Sequence, residues 1–274
     1  MAYIKKTFIT GNVIEIEKVY SIRYNAKNNQ RGPKVNPTPE AMKEVNERNC
    51  RKKLRRILNA NFDEHSYHAT ITYYSSNRPQ DADQAKKDIA KFWRTLKRRC
   101  KDVKYVAVAE HTKNGNIHFH AIIKADELST AEISSCWGLG GVYFRNLEAD
   151  GDYDALAWYL LKESKNTYHD KERRVFGKRW CESKNLILVE PIVEIVKAES
   201  WTETPKPVKG YYVLKDTVAS GISNFTGWPY QHYRMLRLTV AQKKSIKRGT
   251  KNAKNNSKSA TKRESLLPQC DAQW

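Results

Sequence analysis

The 274-residue sequence has no apolar run approaching the roughly 18 residues needed to span a bilayer. Its opening, Met1-Ala-Tyr-Ile-Lys-Lys-Thr-Phe-Ile-Thr, lacks the continuous apolar core of a signal peptide, so a soluble, cytoplasmic protein with no membrane partner is expected. Cysteine is scarce and badly placed for pairing. Cys50, Cys100, Cys136, Cys181 and Cys270 are odd in number and far apart, which suits neither a disulfide framework nor a CxxC zinc site. No GxxxxGK[ST] phosphate loop occurs, and no internal repeat is visible. Acid is short relative to base: 30 Asp and Glu stand against 50 Lys and Arg, a formal charge of +20. Such an excess repels itself in a compact chain unless a polyanion offsets it, which points to nucleic acid as the partner.

The pattern along the chain divides it into four stretches. Residues 1–62 hold an N-terminal hairpin and a basic helix. Alternation on both sides of Gly11-Asn12, as in Val13-Ile-Glu-Ile-Glu-Lys-Val-Tyr20, is the hairpin signal. An Asn-, Lys-, Gly- and Pro-rich loop at 25–37 follows, then a helix with Thr38 as N-cap and Pro39 at its first position, reaching about Asn59. The second half of that helix is densely cationic, and Arg48, Arg51, Lys52 and Arg55 are the candidate phosphate contacts.

Residues 63–190 read as a strand at 66–74, a helix at 81–100 with Ala85, Ile89, Phe92, Trp93, Leu96 and Cys100 on one stripe, and strands at 103–111 and 117–124. A short helix near 129–136, a strand near 142–147 and a helix from Asp152 to about Lys165 complete the block. The order βαββαβ followed by a helix predicts an α+β fold with a ferredoxin/RRM-like antiparallel sheet. Residues 191–240 are expected to pack on this core as an extension, and 241–274, rich in Lys, Asn and Ser, to form a disordered basic tail.

Chemistry concentrates in two places. In Ile117-His-Phe-His-Ala-Ile-Ile the strand period of two sends His118 and His120 to one face and Ile117, Phe119 and Ala121 to the other. A stiff strand thereby holds two imidazoles at a separation suited to a divalent ion. Across the hairpin the third ligand depends on the turn. A three-residue Lys113-Asn114-Gly115 loop sets Glu110 opposite His118, whereas a two-residue Asn114-Gly115 turn sets His111 there. Glu110 would favour Mg²⁺ or Mn²⁺, His111 a zinc-like ion. In the helix Asp152-Tyr-Asp-Ala-Leu-Ala-Trp-Tyr-Leu-Leu-Lys, Leu156, Ala157, Leu160 and Leu161 share an arc of about 140°, and Tyr159 and Lys162 are neighbours outside it. A tyrosine hydroxyl near a divalent metal can attack a phosphodiester, with the lysine stabilising charge. Tyr153 and Tyr168 are weaker candidates for the same role.

The succession Ile71-Thr72-Tyr73, then Glu110 to Gly115 and His118-Phe-His120, then Tyr159-Leu-Leu-Lys162, resembles the three motifs of the HUH endonuclease superfamily. It is more similar still to the rolling-circle replication initiators of bacterial plasmids and single-stranded DNA phages, whose Arg-aromatic-x-x-Ser-x-x-Leu run is matched by Arg179-Trp-Cys-Glu-Ser183-Lys-Asn-Leu186. The resemblance covers about residues 60–190. It implies His118, His120 and Glu110 as ligands of Mg²⁺ or Mn²⁺, Tyr159 as nucleophile, Lys162 as its partner and Arg179 among the DNA contacts. It also implies nicking of single-stranded or locally melted origin DNA through a 5′-phosphotyrosine in a bacterial host cell, strand joining afterwards, and a host helicase and replication machinery as partners. The third motif holds one tyrosine instead of the closely spaced pair of some phage initiators. Two readings compete: a relaxase or transposase of the same superfamily, and a non-catalytic RRM-like nucleic-acid binder.

Overall fold

The computed structural model describes residues 2–20, 38–112, 115–223 and 227–239. The expected loop at 25–37, Lys113, Asn114 and the expected basic tail lie outside the described residues. Among the described residues no helix is long and apolar enough to cross a membrane.

The architecture is mixed α and β, with two antiparallel sheets. The first begins with β1 (Tyr3–Thr10) and β2 (Val13–Tyr20), paired Thr10 to Val13 across the Gly11-Asn12 turn. Gly11 has φ +56°, and a side chain there would run into the Asn59 carbonyl, so only glycine suits both the turn and the close approach. The hairpin is completed by strands from beyond residue 190: β8 (Ile192–Val196), β9 (Tyr211–Val213), β10 (Ala219–Ile222) and β11 (Pro229–Arg237). Their order is β10-β11-β2-β1-β8, with β9 also on β11.

The second sheet contains β3 (Tyr67–Ile71), β4 (Lys104–His111), β5 (Ile117–Lys124), β6 (Val142–Asn146) and the two-residue β7 (Cys181–Glu182), in the order β6-β3-β5-β4-β7. Helices cover it on both faces. Helix α2 (Ala82–Arg99), capped by the Asp81 carboxylate on the Gln84 N–H, lays Ile89, Phe92, Trp93 and Leu96 on Ala69, Ile71, Ala107, Phe119, Ala121 and Ile123. Helix α3 (Thr130–Ser135), held by a Ser129–Glu132 capping box, adds Ile133 to that layer.

The other face carries α1 (Pro39–Asn61) and α4 (Asp154–Glu163), which bury Leu54, Ile57, Leu58, Ala157, Leu160 and Leu161 against Val106, Val108 and Ile122. Each fully buried leucine or isoleucine contributes about 1.5–3 kcal/mol by area. A short α5 (Lys165–His169) follows α4.

Helix α1 joins the sheets by two kinds of force. Its apolar side rests on the second sheet, and its cationic side meets acids of the first. Arg55 and Arg56 pair with Glu15, while Lys52 and Arg56 pair with Glu17. Asp154, at the first turn of α4, receives Arg51 and Arg55 from α1 and Arg234 from β11. Burial works to raise the Asp154 carboxyl, but these arginines hold it below the usual carboxylate range. Glu15 is the stronger case: His232, Arg56 and Arg55 overcome its burial and hold it far below its ordinary value.

Candidate active site

The β4–β5 hairpin brings the first site residues together. Glu110 pairs with His118 and His111 with Ile117. Thr112 N–H donates to the Asn116 carbonyl at 2.8 Å, which leaves residues 113–115 as the loop, and Gly115 has φ +78°. The hairpin therefore has the three-residue register, and strand alternation turns His111 to the face shared with Ile117, away from His118 and His120. There the His111 N–H donates to Thr167 Oγ1 at 2.8 Å.

Registers across the sheet arrange one face in rows. Glu110 and His118 are paired in the first row. The second runs Tyr143, Thr70, His120, Val108, and the third Arg145, His68, Ile122, Val106. His120 Nε2 lies 2.9 Å from Glu110 Oε2. Tyr159, on α4, stands over the second and third rows, its ring centroid 5.5 Å from that of His120 and 5.6 Å from that of His68. Leu160 and Leu161 anchor α4 in the core, while Tyr159 stays 38% exposed and Lys162, three residues on, is exposed too. The apolar arc that fixes the helix thus leaves the tyrosine at its border.

Charge in this site is tuned mainly by burial. Burial pushes the His118 imidazole down, with Glu110 opposing and His120 adding, which favours the neutral, ligating form. The Tyr159 phenol is pushed up by burial and by Glu163 and Glu110, against Arg145.

His68 escapes a sequence reading. Burial, with the charges of His120 and Arg145, pushes it down to about 4, and its Nε2 is buried without a hydrogen-bond partner. The strand period does place His68 with Thr70, but only the β3–β5 register brings that face beside His120. Arg145 on β6 is a second such residue.

The weaker tyrosines sit elsewhere. The Tyr153 hydroxyl donates to the Glu148 carbonyl at 3.1 Å inside the core. The Tyr168 ring lies under the guanidiniums of Arg174 and Arg179, at 4.7 and 5.1 Å.

Of the five cations read from sequence as DNA contacts, four are held by the protein's own carboxylates: Arg51 by Asp154, Lys52 by Glu17, Arg55 by Glu15 and Asp154, and Arg179 by Glu47. Arg55 and Arg179 are buried as well. Arg48 is exposed and lines a cleft of about 330 Å³ with Lys43, Arg51, Lys165 and Trp158.

Two groups could receive a divalent ion. Glu15, Glu17 and His232 are the group among the described residues whose ligand atoms all fall within 4.8 Å of one another. Their carboxylates already hold Lys52, Arg55 and Arg56, so an incoming dication would meet three like charges. His118, His120 and Glu110 meet no such competition. Two neutral imidazoles and one carboxylate suit a first-row divalent ion, and the orphaned His68 Nε2 shows that the surrounding face holds ligating capacity the protein does not itself satisfy.

A sheet face carrying paired histidines beside a helix-borne tyrosine belongs with the HUH/Rep endonuclease superfamily. Within it, residues 66–164 match the family described as replication-associated protein ORF2, and over that span the chain is homologous to it. No curated protein and no solved structure matches the chain. The homology and the histidine–carboxylate clusters together support an enzymatic, metal-associated, nucleic-acid-processing activity of the Rep type.

Proposed function

We propose that this protein initiates rolling-circle replication by nicking one strand of origin DNA and later rejoining it. The observation that carries the reading is the stacking of Tyr159 against His120 on the face where Glu110 and His118 are paired. In this reading the sheet order β6-β3-β5-β4 with α2 and α3 on one face is a ferredoxin/RRM-like βαββαβ core, supported by the alternation of elements and the antiparallel registers.

His118, His120 and Glu110 would hold Mg²⁺ or Mn²⁺, which when bound supplies positive charge to a phosphodiester. Tyr159 Oη attacks the phosphorus. The new bond is Oη–P, the P–O3′ bond breaks, and the 3′ oxygen leaves as a hydroxyl after taking a proton. The phenol proton passes to solvent or to a neighbouring base, and Lys162 offsets charge on phosphate or phenolate. Attack of the 3′-OH on the phosphotyrosine reverses these steps and joins the strand. Single-stranded or locally melted origin DNA is the substrate, a host helicase and replication machinery are the partners, and the bacterial cytoplasm is the setting.

Mass spectrometry of the protein after incubation with origin single strand and Mn²⁺ tests the reading. A nucleotide-modified peptide is expected to contain Tyr159; modification at Tyr153 or Tyr168 instead would overturn the assignment.

A further inference from the structure

The face that carries the site is covered unevenly. Over β4 and β5 it is closed by α1 and α4, which bury Val106, Val108 and Ile122. Over β3 and β6 it lies open. Tyr143 is 67% exposed, and Arg145, two residues along the same edge strand, is exposed as well. Tyr143 pairs with Thr70 and Arg145 with His68, so both point to the face where Tyr159 stands. The result is a shelf one or two strands wide, walled by α4, with the tyrosine at the foot of the wall.

We propose that this shelf seats the single-stranded DNA next to the cleaved bond, with Tyr143 stacking on a base and Arg145 holding a backbone phosphate. The proposal rests on the nicking reading above and extends it to the substrate's path.

Three observations support it. Arg145 has no acidic partner among the described residues, in contrast to Arg51, Lys52, Arg55 and Arg179; an unpaired guanidinium suits a phosphate. Its charge is felt by both Tyr159 and His68, so a phosphate bound by Arg145 lies near the phenol. Tyr143 engages no other aromatic ring among the described residues, and its ring edge leans over Gly141, where an added Cβ would sit 3.3 Å from Cε2 and Oη. Glycine at 141 leaves that ring its place, and a free aromatic face beside an unpaired cation is the sequence-tolerant way to hold a single strand.

The test uses the full chain carrying Tyr159→Phe, in EDTA, so that no strand is cut while binding is read. Anisotropy of a labelled single strand of about 12 nucleotides, within the span one such binding surface covers, is titrated at several salt concentrations. Tyr143→Ala should weaken binding about tenfold and Tyr143→Phe should restore it. Arg145→Gln should weaken it severalfold and lower the slope of log affinity against log salt by about 0.7, the value for one lost phosphate contact on a single strand; Arg145→Lys should recover most of that slope. Both residues are exposed, and unchanged thermal melting excludes misfolding.

In parallel, the same shelf substitutions are made in the chain with Tyr159 intact and assayed for covalent adduct with Mn²⁺. If Tyr143→Ala and Arg145→Gln bind and react as their parents do, the shelf is wrong while the nicking reading stands. If the parent forms no adduct yet both substitutions weaken binding, the shelf stands and the nicking reading fails. A parent that prefers duplex to single strand overturns the shelf outright.

Discussion

The Tyr159 ring meets the His120 imidazole edge to face, with centroids 5.5 Å apart and planes at 84°. This places the phenol beside the histidine pair without direct hydrogen bonding, on a helix whose neighbouring leucines are buried. Removing the hydroxyl should therefore disturb chemistry and not packing. Tyr159→Phe is expected to reduce covalent DNA adduct at least about a thousandfold and to melt within a few degrees of the parent. An adduct of undiminished yield, read on a denaturing gel, would remove Tyr159 from the reaction.

The two histidine–carboxylate groups predict opposite responses to substitution. His120→Ala or Glu110→Ala should lower Mn²⁺ affinity at least about tenfold in calorimetric titration. His232→Ala should leave it unchanged, because Glu15 and Glu17 remain held by Arg55, Arg56 and Lys52. The reverse pattern would move the metal to the first sheet.

His68 makes the metal-free protein sensitive to acid. Its pKa falls from the ordinary 6.5 to about 4 on folding, so between these values the unfolded chain binds more protons than the folded one. The stability His68 contributes is complete above pH 6.5 and is lost as pH falls through 4. The loss is on the order of 3 kcal/mol. Urea midpoints measured in EDTA should fall across this window in the parent, and more weakly in His68→Gln. Equal slopes would show that His68 ionises as freely in the folded protein as in the unfolded chain.

Asp154 gathers Arg51, Arg55 and Arg234 at the start of the helix that carries Tyr159. Asp154→Ala leaves buried cations without a counter-charge and should cost about 3–5 kcal/mol in denaturant unfolding. Arg55→Met should likewise lower stability while leaving the salt dependence of DNA binding unchanged. A reduced salt slope for Arg55→Met would instead make Arg55 a phosphate contact.

The local part of this site was legible in the sequence. Strand alternation put His118 and His120 on one face, turn length limited their partner to Glu110 or His111, and helical period moved Tyr159 off the apolar arc. Each inference spans only a few residues, where geometry is fixed by covalent chain period. His68 and Arg145 were not legible, because their place depends on how β3 registers against β5 and β6, and an isolated histidine or arginine carries no mark of that. The cations of α1 show the same limit from the other side. Their density suggested phosphate contact, but the acids that pair with them, Glu15, Glu17 and Asp154, come from the first hairpin and from α4. Nor does any local pattern disclose that the first hairpin shares a sheet with strands beyond residue 190.

That shared sheet sets an order of events during synthesis. Glu15 and His232, in contact when folded, are 217 positions apart in the chain, so β2 emerges long before β11 exists. The strands bearing the histidines, and the helix bearing Tyr159, are all made in between. Arg234, which fastens Asp154 and Asp152, arrives with β11. A growing chain thus carries every reacting group before it can lock the tyrosine's helix in place, and the last long strand acts as the latch.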